Sequence, residues 1–214
     1  LPCDAETHLN LGIALAAVGK RADAVASYRQ SLALNPAGIE ALNNLGNVLR
    51  ELGERREALT LYQKAIRLDP TRPDSQCNLA TVLLELRRIG DAEEAFRRAV
   101  ALQPRYTPAQ LGLAAVLRVQ GRTAEAEACC EAALAAEPRS AGATSLLAEL
   151  RADRGQFAEA QTLFQQAIAL DPDFATAYCG IAQHRRMTRE DTAWREGVEA
   201  LLARPLPLGH QVSL

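Results

Sequence analysis

The chain has 214 residues, a formal net charge of −2 and only 4% aromatic residues. A slightly acidic chain with so few rings lacks both the basic face that pairs with phosphates and the platforms on which bases stack, so no nucleic-acid partner is expected. No apolar run approaches the roughly 20 residues that a membrane-crossing helix needs, so no membrane partner is expected either.

In chain order, residues 5–18 and 21–34 read as two helices separated by Gly19-Lys20. Residues 39–72 repeat the pattern in its cleanest form. Leu42, Leu45, Gly46 and Leu49 recur at helical spacing, and Ala58, Tyr62 and Ala65 follow after the break at Gly53. Asp69-Pro70 closes the unit, because proline removes a backbone donor and blocks continuation of the helix. Neither helix can bury its apolar stripe alone, so the two close into a hairpin that still leaves one flank for another copy.

The copies are marked by Pro2, Pro36, Pro70, Pro104, Pro138 and Pro172, each 34 residues after the last. A fixed period of this length built from helix pairs is the signature of an α-solenoid. The expected units are 5–38, 39–72, 73–106, 107–140 and 141–174. Residues 1–4 read as the end of a preceding repeat, and the chain as a piece of a longer protein.

The later units depart from the pattern in identifiable places. In the third, Arg87 stands where the others have a turn glycine, and Gly90 is expected to supply the flexibility. In the fourth, Cys130 takes a ring's place, and Leu111, Leu117 and Leu134 are the neighbours expected to fill the volume. The sixth, 175–204, is degenerate: Thr188-Arg-Glu-Asp191 reads as a capping box. It opens a helix over 191–203 that buries Trp194, Val198, Leu201 and Leu202 and covers the last flank. Residues 205–214 read as a linker.

These residues resemble the tetratricopeptide repeat (TPR) family. Its Leu-Gly pair stands as Leu11-Gly12 and Leu45-Gly46, softened to Leu79-Ala80, Leu113-Ala114 and Leu147-Ala148. Its small residue is Ala24, Ala58, Ala92, Ala126 and Ala160, and its aromatic slot holds Tyr28, Tyr62, Phe96, Cys130 and Phe164. The family's frequent tryptophan is replaced by His8, Leu42, Gln76, Gln110, Thr144 and Tyr178, at a position expected to be half exposed. The resemblance implies an all-α, right-handed α-solenoid of about five and a half repeats with a C-terminal capping helix, serving as a scaffold for protein or peptide partners.

Catalytic chemistry is not expected in this segment. His8, His184 and His210 have no ligand-spaced partners, no serine sits in a nucleophile elbow, and there is no phosphate-cradling glycine loop. The five cysteines (Cys3, Cys77, Cys129, Cys130 and Cys179) form no CxxC pair and read as reduced. No metal and no cofactor are expected, and a cytoplasmic location fits free thiols.

The informative constellation is Asn10, Asn44 and Asn78, sixth in three consecutive repeats, with Asn43 and Asn47 beside the middle one. A primary amide both donates and accepts, so it can grip one peptide group of an extended ligand without reading its side chain. In TPR arrays the first helices line the concave wall. The resemblance to the asparagine-laddered superhelix of O-GlcNAc transferases points the same way. Beyond the third repeat the row stops, and Leu111, Gly112, Ala115 and Val119 present a bare apolar face suited to a helix or an aliphatic side chain. The first helices also lack the lysine and arginine clamp that would pair a C-terminal carboxylate. An alternative is a non-catalytic recruiting region of a larger transferase, since 181–207 resembles the junction of bacterial TPR-sulfotransferase fusions.

Overall fold

A computed structural model of the protein describes residues 4–184 and 192–203. Among them are twelve α-helices and no strand: α1 Ala5–Ala17, α2 Arg21–Leu34, α3 Ile39–Glu51, α4 Arg55–Leu68, α5 Pro73–Glu85, α6 Ile89–Leu102, α7 Thr107–Val119, α8 Thr123–Ala136, α9 Ala141–Asp153, α10 Phe157–Leu170, α11 Ala175–His184 and α12 Thr192–Leu202. The fold is all-α and of the solenoid class, built from consecutive helix pairs. The chain divides into two compact units at Gly112.

The hairpins turn where the chain needs a left-handed residue. Gly19, Gly53, Gly121 and Gly155 have φ between 75° and 87°, a region that costs glycine nothing. In the third repeat the expectation fails: Gly90 lies inside α6, and Arg87 itself takes the turn at φ 63°. The hairpin geometry is set by the packed helices, so the residue at that position accepts the strain. Among the described residues side chains cap the starts of α1 and α9, Asp4 Oδ1 accepting from Thr7 N at 2.7 Å and Ser140 Oγ from Ala143 N at 3.3 Å.

In the first unit the core gathers Tyr28, Leu45, Val48, Leu49, Tyr62 and Val82 between successive hairpins. The small slots Ala24, Ala58 and Ala92 are fully buried there, because the two helices of a hairpin approach most closely at that level. The position that often holds tryptophan in the family is half-buried, as expected, only at His8; Leu42, Gln76, Gln110, Thr144 and Tyr178 are all 6% exposed or less. Gln110 shows why a polar residue is tolerated, since its Nε2 donates to the carbonyl of the closing Pro104 at 2.9 Å.

In the second unit Ala148, Phe164, Ala167, Ala177 and Ile181 form one core, and Ala175, Tyr178 and Leu201 another. Cys130 is completely buried. Of the leucines expected to fill its volume, Leu117 is buried and Leu111 and Leu134 are half-buried, Leu134 also lining an open cleft with Pro138 and Leu163. The terminal helix α12 buries Leu201 and half-buries Trp194 and Val198, but Leu202 is 61% exposed, against expectation. Leu202 is the last residue of α12, on a side of the helix that no described neighbour covers. The expected capping box at 188–191 and the linker at 205–214 lie outside the described residues.

Candidate functional site

Asn10, Asn44 and Asn78 stand at one position on α1, α3 and α5, and these helices touch in sequence order within the first unit. Asn10 is exposed and the other two are half-buried. None of the three side chains makes a hydrogen bond within the described chain. Three amides at one level of adjacent helices, partly open to solvent and internally unbonded, form a row with full hydrogen-bonding capacity.

The two flanking asparagines are occupied. Asn43 is 4% exposed, and its Nδ2 donates to Ser75 Oγ at 2.8 Å, pinning α3 to α5. Its Oδ1 is buried without a partner. Asn47 accepts at Oδ1 from the Tyr62 hydroxyl at 2.7 Å, which leaves only its amino group free. The helical wheel turns Asn43 about 100° away from Asn44 and into the interior, while Asn47, about 60° from Asn44, stays half-buried on the same side.

Charges frame the row. Glu85 on α5 accepts from Arg50 of α3 at 2.6 Å and from Arg55 of α4 at 2.9 Å. Arg72 grips Asp74 with two hydrogen bonds. Beside the row, a cleft of about 430 Å³ opens between α1 and α3, lined by Glu6, Leu9, Ile39, Glu40 and Arg72 among others. Glu6 and Glu40 lie one helical turn before Asn10 and Asn44, so carboxylates and amides share a face.

The expected apolar face is graded along α7: Leu111 and Ala115 are half-buried, and Val119 is 73% exposed. Gly112 is not open on it, because the ring of Phe96 lies over its Cα.

The reactive groups are quiet. Burial pushes the Cys77 thiol up to about 11 and the Cys130 thiol up to about 12, so both stay protonated and weakly nucleophilic at neutral pH. Burial likewise raises the Tyr62 hydroxyl to about 12. Among the described residues no cluster of three or more potential metal ligands comes together, and no helix is long and apolar enough to cross a membrane.

The stacked hairpins and their row of unbonded amides define a helical-repeat scaffold with no catalytic constellation among the described residues. Three family models match the sequence: the cilia and flagella-associated protein 70 middle TPR-like domain over residues 50–152, a tetratricopeptide repeat over 9–73, and a TPR repeat over 148–184. All three are tetratricopeptide-repeat models, and together they place such repeats along residues 9–184. No curated protein matches it. Among solved structures it is similar to YrrB, described as a TPR protein with an unusual peptide-binding site (27% identity, 81% of this chain and 90% of that one, TM-score 0.59). It is also similar to TTC0263, a thermophilic TPR protein of Thermus thermophilus (24%, 94% and 100%, 0.71). A third likeness is to pilF of Pseudomonas aeruginosa (18%, 97% and 95%, 0.74).

Proposed function

We propose that the first three repeats hold an extended protein segment by its backbone, with Asn10, Asn44 and Asn78 as successive rungs. The observation that carries this reading is the row itself: three side-chain amides at one level of α1, α3 and α5, none spent on the fold. Packed helices lie roughly 8–10 Å apart and an extended chain advances roughly 3.3 Å per residue, so a rung meets about every third residue of the ligand. Asn47 contributes its free amino group. Asn43, turned inward onto Ser75, belongs to the scaffold. The likeness to YrrB supports a peptide ligand, since that protein is described by its peptide-binding site. The face at Leu111, Ala115 and Val119 suits an aliphatic side chain of the partner. Nucleic acid and membrane are not partners in this reading, and a cytoplasmic setting is supported by the free thiols of Cys77, Cys129, Cys130 and Cys179.

The same activity serves a larger transferase equally well, with the repeats recruiting the substrate protein. That version is supported only by the resemblance of residues 181–207 to a sulfotransferase fusion junction.

The test is a titration of peptides drawn from an array against the wild type and the triple change Asn10, Asn44 and Asn78→Ala. Each amide contributes about 0.5–1.5 kcal/mol, so affinity should fall roughly tenfold or more while helicity by circular dichroism is unchanged. The loss should be similar for ligands of different side-chain sequence. Equal affinities for a peptide that protects the first three repeats from exchange would sink the reading.

A further inference from the structure

We propose that the seat taken by the aromatic ring of each second helix decides whether the next repeat can present an amide rung. Two positions compete for that ring. One is the eighth residue of the repeat's own first helix: Gly12, Gly46, Ala80, Ala114 and Ala148. The other is the sixth residue of the following repeat's first helix: Asn44, Asn78, Gly112, Leu146 and Gly180.

In the first two repeats the ring sits on its own hairpin. A Cβ on Gly12 would lie 2.5 Å from the Tyr28 ring, and one on Gly46 2.6 Å from Tyr62. In the third and fifth repeats the ring sits on the next hairpin, where a Cβ on Gly112 would overlap Phe96 and one on Gly180 would overlap Phe164. In each of these four repeats one of the two positions is glycine and the other is not, and the ring lies over the glycine. Where the ring takes its own glycine, the next repeat carries asparagine. Where it takes the next repeat's glycine, its own helix carries alanine. The fourth repeat has no ring, only the fully buried Cys130, and both positions are filled, by Ala114 and Leu146.

In the second repeat a hydroxyl holds the seat. Tyr62 donates to Asn47 on its own first helix at 2.7 Å, and the Arg50 side chain of the same helix reaches the same hydroxyl. Tyr28 takes the same seat without that tether, so the glycine is what the two share, and Phe96 settles over Gly112 because glycine leaves room there. The amide row therefore stops after Asn78 because Phe96 occupies the place where the fourth rung would stand. Tyr28 and Tyr62 are positioning residues for Asn44 and Asn78. The packing rule stands on the ring geometry alone; its consequence for a ligand rests on the amide-row reading above.

The experiment uses the whole chain and four variants: Gly112→Asn alone, the pair Ala80→Gly with Phe96→Tyr, the triple that combines them, and Asn10, Asn44 and Asn78→Ala. In urea melts, Gly112→Asn should lower the midpoint in the parent and lower it much less, or not at all, in the Ala80→Gly/Phe96→Tyr background. If Gly112→Asn fails to fold alone, the comparison of the pair with the triple still decides. An equal penalty in both backgrounds overturns the proposal. In the binding arm, an array peptide long enough for four rungs should bind the triple about threefold to tenfold more tightly than the parent, and a peptide spanning three rungs equally. No gain for the long peptide, with the asparagine-to-alanine variant still losing affinity, overturns the link from ring seat to rung. No loss in that last variant overturns the amide-row reading and leaves the packing rule to the urea result.

Discussion

The first and last described hairpins pack their first helices in opposite ways. In α1 only Gly12 is buried, and Leu11 and Ile13 are 48% and 39% exposed. In α11, Ala177 and Ile181 are buried in the core shared with α9 and α10, and Ala175 and Tyr178 are buried with Leu201 of α12. The direction of the ring contact also reverses. Tyr28 reaches from a second helix onto a first-helix glycine, whereas Tyr178 reaches from a first helix onto Gly197 of the second, 2.5 Å from where a Cβ would be. Trp194 stands at the level where other repeats place a fully buried alanine. An indole there would force the helices apart, and its Nε1 instead donates to the Tyr178 carbonyl at 3.1 Å. A repeat is closed, then, by trading the small residue for a large one and receiving the ring from the other side.

The largest test of that contrast removes the cover. A chain ending at residue 184 loses the burial of Leu201, Trp194 and Val198, at about 1.5–3 kcal/mol for a fully buried large side chain and less for the half-buried ones. It also exposes Tyr178 and Ile181 as one apolar patch. Sedimentation should show association, and a monomer with the parent's urea midpoint would strip α12 of its capping role. A finer test compares the two glycines. Gly12→Ala should cost about 1–3 kcal/mol, because a methyl there drives into the Tyr28 ring and α1 is packed along the whole of α2. Gly197→Ala should cost less, since α12 touches only α11 among the described helices and has room to shift. The reverse ordering in paired urea melts would mean that the last hairpin is the tighter of the two. The smallest effect lies away from both ends. Arg87→Gly should stabilise by about 1 kcal/mol by relieving a left-handed arginine, and an unchanged midpoint would mean that the turn carries no strain.

The fold was legible because a period of 34 residues leaves so few ways to bury a stripe. Helix bounds at Arg21–Leu34 and Phe157–Leu170 follow directly from proline and glycine spacing. Position within the repeat was less legible where it depended on a neighbour. Asn43 and Asn44 are adjacent in sequence, yet one donates into the interior and the other faces outward. Gln76 and Gln110 are both buried although polar: Gln110 reaches the Pro104 carbonyl, whereas Gln76 Oε1 is buried without a partner, a difference the shared repeat position does not reveal. Gly112 read as a gap in the amide row; its pairing with the ring of Phe96 is a three-dimensional fact. Leu202 read as core because the apolar pattern of a helix does not say where its neighbours end.

Within each unit, every pair of described helices in contact lies within two elements of each other along the chain. Folding therefore closes only short loops, which keeps the entropic barrier low and the search fast. A newly synthesised hairpin needs only the one before it as a template, so order can spread repeat by repeat while the chain is still emerging. Disruption should spread in the same piecewise way, with one repeat able to open without the loss of all the others.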